Sequence, residues 1–154
     1  NNKNFDIGYA KQVIKEVKEI GFRVRTSFIF DLPTTTKEDM QKTINFILET
    51  EPDEIRGHFL ALRLGTTIYN KLAKEKAIPT QYIHSDKPLI ENEKYTNSEM
   101  LQDIETLISK LKDKEYKIVK NVKEWENLES LRNKEGKIKF LSFCPSKYGI
   151  DWEK

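Results

Sequence analysis

The chain has 154 residues, of which 37% are apolar and 34% are charged, and its formal net charge is +2. This length suits one domain, or a part of a larger one, with a modest core beneath a heavily charged surface. A charge so close to balance gives no basis for inferring a nucleic-acid-binding surface, and no apolar run reaches the ~18 residues that a membrane-spanning helix needs.

The chain has a single cysteine, Cys144, which limits the disulfide and metal chemistry open to it. One cysteine cannot form a disulfide within the chain, and it cannot hold zinc or iron without other ligands. A chain without disulfides is typical of a reducing compartment, so we expect a cytoplasmic protein with no membrane partner and no signal peptide. The opening segment, Asn1–Asp6, is expected to continue from an earlier part of a longer protein.

The first half of the chain predicts alternating helices and strands. An amphipathic helix is predicted from Asp6 to Ile20, with Asp6 as its N-cap and Gly21 as the left-handed residue that ends it. A strand is predicted from Phe22 to Asp31. Its residues alternate between an apolar face and a second face that consists of Arg25, Ser27, Ile29 and Asp31.

A second helix and strand follow directly. Pro33 ends the first strand, and Thr35–Glu38 is predicted to be a capping box that opens a helix ending before Pro52. The second strand is predicted from Glu54 to Leu62, and a third helix begins at Thr66. Because crossovers through a helix are right-handed, we expect the two strands to be parallel neighbours.

The pattern changes after about residue 79, where we place the boundary between two parts, 1–79 and 80–154. Residues 80–95 are polar and aperiodic, which predicts an extended surface loop. Thr96–Glu99 is predicted to cap a further helix, and another helix is predicted from about Val119 to Arg132. The second part is therefore expected to be a loop followed by a mainly helical extension, with one short strand-like run at residues 138–143.

The polar strand faces hold the candidate ligand-binding residues. Arg25, Ser27 and Asp31 share one face of the first strand, and Arg56 and His58 share one face of the second. Central strands of α/β folds are normally apolar on both faces, so charge on one face indicates a lumen or a cleft. The alternative is an edge strand with a hydrated face, and for His58 the alternative is a structural histidine.

Three segments together resemble the radical S-adenosylmethionine (SAM) enzymes. Gly21–Thr36, followed by Lys37–Asp39, is similar to a strand in that family that ends in a Gly-Pro turn before a helix. Leu62–Tyr69 is similar to the Gly-Thr turn after the next strand, and Tyr95–Met100 is similar to the start of a C-terminal helix in cobalamin-binding members. The order and the spacing of the segments make the resemblance more specific than any one of them.

The resemblance implies an α/β fold, the C-terminal portion of a (β/α)6 partial barrel with a mainly helical C-terminal extension. The parent protein would use a [4Fe–4S] cluster and SAM, and cobalamin is a further cofactor of some members. The cluster-binding Cys-x3-Cys-x2-Cys motif is absent, so the fragment alone is expected to hold no cofactor and to be inactive. Carried over by position, the resemblance implies that the turn after the first strand is Asp31, Leu32, Pro33 and Thr36, and that the second turn is Gly65 and Thr66. The strand faces and this first turn together give the residues that we expect beside the cofactor or the substrate: Arg25, Ser27, Asp31, Pro33, Arg56 and His58.

Three functional hypotheses follow from these observations. The first is a C-terminal fragment of a radical SAM iron–sulfur oxidoreductase, whose partners would be the rest of the parent chain, a substrate and, through an exposed strand edge, a second copy. The second is a stand-alone α/β ligand-binding or interaction module without radical chemistry. The third is a hydrolase-like or aldolase-like enzyme that uses Arg56 and His58.

Overall fold

The protein is an α/β protein built on one parallel sheet. A computed structural model describes residues 6–75, 94–119, 123–128 and 138–143. Residues 123–128 form a helical segment in addition to the elements named next. In chain order these elements are α1 (Ile7–Glu19), β1 (Arg25–Ile29), α2 (Lys37–Thr50), β2 (Glu54–His58), α3 (Thr67–Glu75), α4 (Asn97–Asp113), β3 (Lys117–Val119) and β4 (Phe140–Phe143). The strands lie in the order β1-β2-β4-β3, and every neighbouring pair is parallel.

The predicted pairing of the first two strands is confirmed. β1 and β2 are parallel neighbours, with Arg25 opposite Glu54 and Ile29 opposite His58. Both strands are shorter than the sequence pattern predicted, because the ladder stops where the chain turns toward the next helix. The predicted limits of α1 are also confirmed: the Asp6 side chain accepts a hydrogen bond from the third residue of the helical segment, and Gly21 has a φ of 90°.

The capping box of α2 lies one residue later than predicted. The Thr36 hydroxyl accepts a 3.2 Å hydrogen bond from the Asp39 N–H, and the Asp39 carboxylate accepts a 3.0 Å bond from the Thr36 N–H. The Thr36 hydroxyl also donates a 2.7 Å hydrogen bond to the Asp39 carboxylate, and this bond, together with that from the Thr36 N–H, lowers the pKa of Asp39. The predicted box at Thr35–Glu38 is wrong because the Thr35 N–H donates to the Leu32 carbonyl oxygen at 2.8 Å, which closes the turn around Pro33.

The second part of the chain adds strands as well as helices. β3 was not predicted, and Val119 ends this strand instead of opening the predicted helix. β4 fits between β2 and β3, so the described residues on both sides of positions 76–93 build a single sheet. From β1 to β2 and from β2 to β3 the chain moves across the sheet in one direction, and from β3 to β4 it moves back. For this return crossover to be right-handed, the intervening helix must cover the face of the sheet opposite to α2 and α4.

The main core lies between one face of the sheet and the two helices α2 and α4. Its largest buried side chains include Phe30, Met40, Ile44, Ile47, Ile55, Tyr95, Met100, Leu107, Leu111 and Leu141. Tyr95 was expected at the end of a surface loop, but it is buried, and its hydroxyl donates a 2.8 Å hydrogen bond to Asp103. The capping box predicted at the start of α4 is confirmed, with Thr96 as the N-cap and Glu99 as its partner.

Several other sequence expectations fall outside the described residues. These concern the predicted surface loop at residues 80–93 and Cys144. Among the helices that the structure does describe, none combines the length and the apolar content that crossing a membrane requires.

Glu51, at the end of α2, forms ion pairs with Lys114 at the end of α4 and with Lys139 just before β4, and these pairs make folding stability depend on pH. Its carboxylate accepts hydrogen bonds from the ammonium groups of Lys114 and, at 3.1 Å, of Lys139. These bonds lower the pKa of Glu51 below its ordinary value. A carboxyl group whose pKa is lower in the folded state than in the unfolded state stabilises the fold above the unfolded pKa, and this stability is lost as the pH falls through the folded pKa.

We therefore expect Glu51→Gln to make the free energy of unfolding depend less steeply on pH in acid. Between roughly pH 5 and pH 3 the unmodified chain should lose more unfolding free energy than the variant, by less than about 1 kcal/mol because Glu51 is partly exposed to solvent. Urea unfolding at several pH values measures the difference. Lys114→Met removes the main hydrogen-bond donor to Glu51 and should reduce the pH dependence of the unfolding free energy in the same way. The same pH dependence in all three proteins would contradict the prediction.

Candidate functional site

One face of β1 and β2 is polar and lies opposite the face that packs against α2 and α4. In β1 the exposed positions alternate with half-buried ones, which confirms the two faces predicted from the sequence. The parallel register places Ser27 beside Arg56 and Ile29 beside His58. We call this surface the polar face and define it by Arg25, Ser27, Glu54, Arg56 and His58.

The remaining half of this side of the sheet is covered by the helical segment at residues 123–128. Leu128 from this segment packs with Val119 of β3 and Phe140 of β4, and Trp125 lies against the same cluster. The segment therefore covers β3 and β4 and leaves the polar face as the uncovered half among the described residues. Trp125 forms the border between the two halves.

Glu54 organises the charges of the polar face. Its side chain is only 5% exposed, and one carboxylate oxygen, Oε1, lies 2.7 Å from Nε of Arg25 and 2.8 Å from Nε of Arg56. Two guanidinium groups thus share a single buried carboxylate. These three described side chains together carry one positive charge, and the shared carboxylate fixes where both guanidinium groups lie.

Arg56 is held from a second side as well. Its guanidinium carbon lies 4.7 Å from the centre of the Trp125 ring, a cation–π contact that restricts its movement. Ser142 of β4 is its partner in the register and is buried, and its hydroxyl has no hydrogen-bond partner among the residues that the structure describes.

Asp31 and Pro33 do not lie on the polar face with the other predicted residues but at the rim of the sheet. Asp31 is 2% exposed, and its carboxylate accepts a hydrogen bond from the Leu60 N–H, so it joins the ends of the two strands. Pro33 lies in the turn that follows β1. The ligand contacts predicted for both residues stay predictions.

The turn after β2 lies at the same edge of the sheet, because the strands are parallel. Gly65 has a φ of 80°, a conformation that side chains disfavour, and the Thr66 N–H donates to the Arg63 carbonyl oxygen at 3.3 Å. A cavity of about 200 Å³ lies beside the first turn and is lined by Ile29, Phe30, Leu32, Thr34, Thr35, Asp39, Met40 and Thr43. The two turns lie at the rim of the sheet, and the cavity lies between the first turn and α2.

The structure thus brings Arg25 and Ser27 of the first predicted face together with Arg56 and His58 of the second on one surface. Sequence reasoning missed Glu54, Trp125 and Ser142. Glu54 had a usable signal, since it precedes Arg56 by two positions and side chains two apart on a strand share a face. Trp125 and Ser142 come from distant parts of the chain, and no local pattern links them to the site.

No protein-family model, no curated protein and no solved structure matches this chain. Within the described ranges, no group of three or more His, Cys, Asp and Glu side chains is arranged to hold a metal ion. The function of the polar face therefore has to be inferred from its geometry and from its position on a parallel α/β sheet.

Proposed function

We propose that this chain is the C-terminal part of a cytoplasmic radical SAM iron–sulfur oxidoreductase, in which the polar face lines the SAM and substrate side of the barrel. The observation that carries the proposal is the polar face itself: it lies on adjacent parallel strands, opposite α2 and α4, below two turns at one edge of the sheet. Barrels place helices outside and their chemistry at the carboxyl ends of the strands.

The outer edge of β1 also supports this proposal. β1 is the last strand of the described sheet on this side, and α1 buries none of its residues completely. A groove of about 520 Å³ lies between them, lined by Tyr9, Ala10, Val13, Ile14, Thr26, Ser27, Phe28 and Phe46. In a right-handed βαβ unit, α1 would cover the gap between β1 and a preceding parallel strand, so this groove fits a strand from the rest of a parent protein.

The iron–sulfur cluster of this family requires ligands that this chain does not have. Its sequence contains a single cysteine, whereas three thiolates hold the family's cluster and leave one iron for SAM. The residues present therefore do not fit a [4Fe–4S] cluster. In the proposal the parent protein supplies the cluster, the SAM site and, if it is used, cobalamin, while this chain supplies one wall.

The test begins with the coding sequence upstream of Asn1, which should contain Cys-x3-Cys-x2-Cys. The parent protein, purified without oxygen and reduced with dithionite, should then cleave SAM to 5′-deoxyadenosine. Arg56→Gln should slow this cleavage, or uncouple it from substrate, more than Lys110→Gln in α4 does. An upstream sequence without the motif would overturn the proposal.

The chain in isolation should associate through the edge of β1. An unpaired strand edge beside an uncovered apolar groove favours pairing with a second copy. We expect light scattering at micromolar concentrations to detect a dimer or a larger species. Thr26→Lys, which places a charge in the groove, should shift the equilibrium to the monomer, whereas Thr106→Lys on the exposed side of α4 should not; a monomeric unmodified chain would contradict the prediction.

One observation favours the second candidate, a stand-alone α/β ligand-binding module. The strand order β1-β2-β4-β3 is not consecutive, whereas the strands of a barrel wall follow one another in chain order. The same upstream sequence decides between the two candidates, since a module without radical chemistry has no need of the three-cysteine motif.

A further inference from the structure

We propose that the polar face binds a carboxylate group of a ligand between Arg25 and Arg56. This inference rests on the proposed function only in treating the polar face as a ligand-lined surface. It adds the chemical group that is recognised and the residues that recognise it.

The charge balance of the cluster is the first argument. Among the described residues, the guanidinium groups of Arg25 and Arg56 surround one carboxylate, that of Glu54, and these three side chains together carry a single positive charge on a partly buried surface. A carboxylate carries one negative charge and neutralises this surplus. A phosphate dianion would instead leave a negative charge beside the buried Glu54, which partial burial makes unfavourable.

The unused hydrogen-bond donors are the second argument. Both arginines approach Glu54 through Nε, and no described residue accepts a hydrogen bond from the terminal amino groups of either one. A planar guanidinium group presents these donors as a fixed pair that matches the two oxygens of a carboxylate. Glu54 and Trp125 hold Arg56 in place, so the binding geometry is formed before a ligand arrives.

Two hydroxyl groups complete the binding position. Ser27 is exposed and lies beside Arg56 on β1, and Ser142 is buried beside Arg56 on β4. The Ser142 hydroxyl has no partner among the described residues, and leaving a buried hydroxyl unpaired is costly. Because Ser142 is buried, its hydroxyl lies beneath the binding position, and the exposed Ser27 hydroxyl is the one that can donate to a ligand oxygen held by Arg56. The half-buried His58 and the exposed Ile29 would lie beside the body of the ligand.

The test is a titration of this chain, labelled with ¹⁵N, with succinate as the carboxylate probe. The Nε–H signals of Arg25 and Arg56 should shift in a saturable way at millimolar succinate. Sodium chloride at equal ionic strength should cause no saturable shift, and inorganic phosphate should bind more weakly than succinate. The measurement needs neither a cluster nor SAM, so its result does not depend on whether a parent protein cleaves SAM.

The variants make the test specific. Arg25→Gln and Arg56→Gln should each weaken succinate binding by about tenfold, as expected for the loss of a charge-assisted hydrogen-bond pair. Lys110→Gln, on the exposed surface of α4, is the control that removes a positive charge far from the polar face, and it should bind as the unmodified chain does. Ser27→Ala changes a small exposed side chain and should weaken binding severalfold without affecting the fold, which guards against variants that fail to fold.

Three results would overturn the inference: no saturable shift with succinate, folded Arg25→Gln and Arg56→Gln variants that bind succinate as tightly as the unmodified chain, or tighter binding of phosphate than of succinate. The last result would assign the face to phosphate groups instead of carboxylates.

Discussion

Replacing Gly57 with alanine should lower the free energy of unfolding by about 1–3 kcal/mol, and replacing it with valine should lower it further. A Cβ atom on Gly57 would lie 2.7 Å from Phe143 Cε1 and 2.9 Å from Phe30 Cε2. Both rings are buried: Phe143 belongs to β4 and Phe30 directly follows β1, and other core side chains fix their positions. Neither ring can move away from a new methyl group without opening the core.

Gly8→Ala is the matched control, because it makes the same chemical change on the exposed surface of α1. In a helix the change from glycine to alanine is neutral or stabilising by up to about 1 kcal/mol. Chemical denaturation of the two variants and the unmodified chain gives the comparison. If Gly57→Ala were as stable as the unmodified chain, the close packing of Phe30 and Phe143 over this glycine would be wrong.

Local patterns in the sequence predicted the features that depend on neighbouring residues. Alternation along the two strands identified the polar face, because side chains two apart necessarily share a side of a sheet. The error at the start of α2 arose from two overlapping signals, Thr35–Glu38 and Thr36–Asp39, which both fit a capping box. The hydrogen bond of the Pro33 turn decided between them, and that bond is visible only in the structure.

Features that depend on distant residues could not be predicted in this way. β3 has only three residues, too few for a period to be recognised, and its pairing with β4 defines it as a strand. The position of β4 between β2 and β3 follows from a crossover, which leaves no mark on the composition of the strand. For the same reason, the contact between Arg56 and Trp125 could not be inferred, although it forms one border of the site.

The charge cluster on the polar face leads to the second large effect, from replacing Glu54 with glutamine. We expect the unfolding free energy to fall by about 1–3 kcal/mol, because two charge-assisted hydrogen bonds lose their charged acceptor and two guanidinium groups are left facing each other. Arg25 and Arg56 keep part of their surface in water, which limits the loss to less than that for a fully buried ion pair.

Glu49→Gln is the matched control, since Glu49 forms an ion pair with Lys11 between two exposed side chains. Exposed pairs contribute roughly 0–1 kcal/mol, so this variant should unfold close to the unmodified chain. The two variants should also differ in succinate binding. Without the Glu54 charge, the surplus positive charge of the described side chains on the polar face doubles, so Glu54→Gln should bind succinate more tightly while being less stable. Glu49→Gln should change neither its stability nor its succinate binding. A Glu54→Gln variant that lost both stability and succinate binding would mean that positioning of the arginines by Glu54 outweighs its competition with succinate for them. Equal stability of the two variants would contradict the burial of the Glu54 ion pairs.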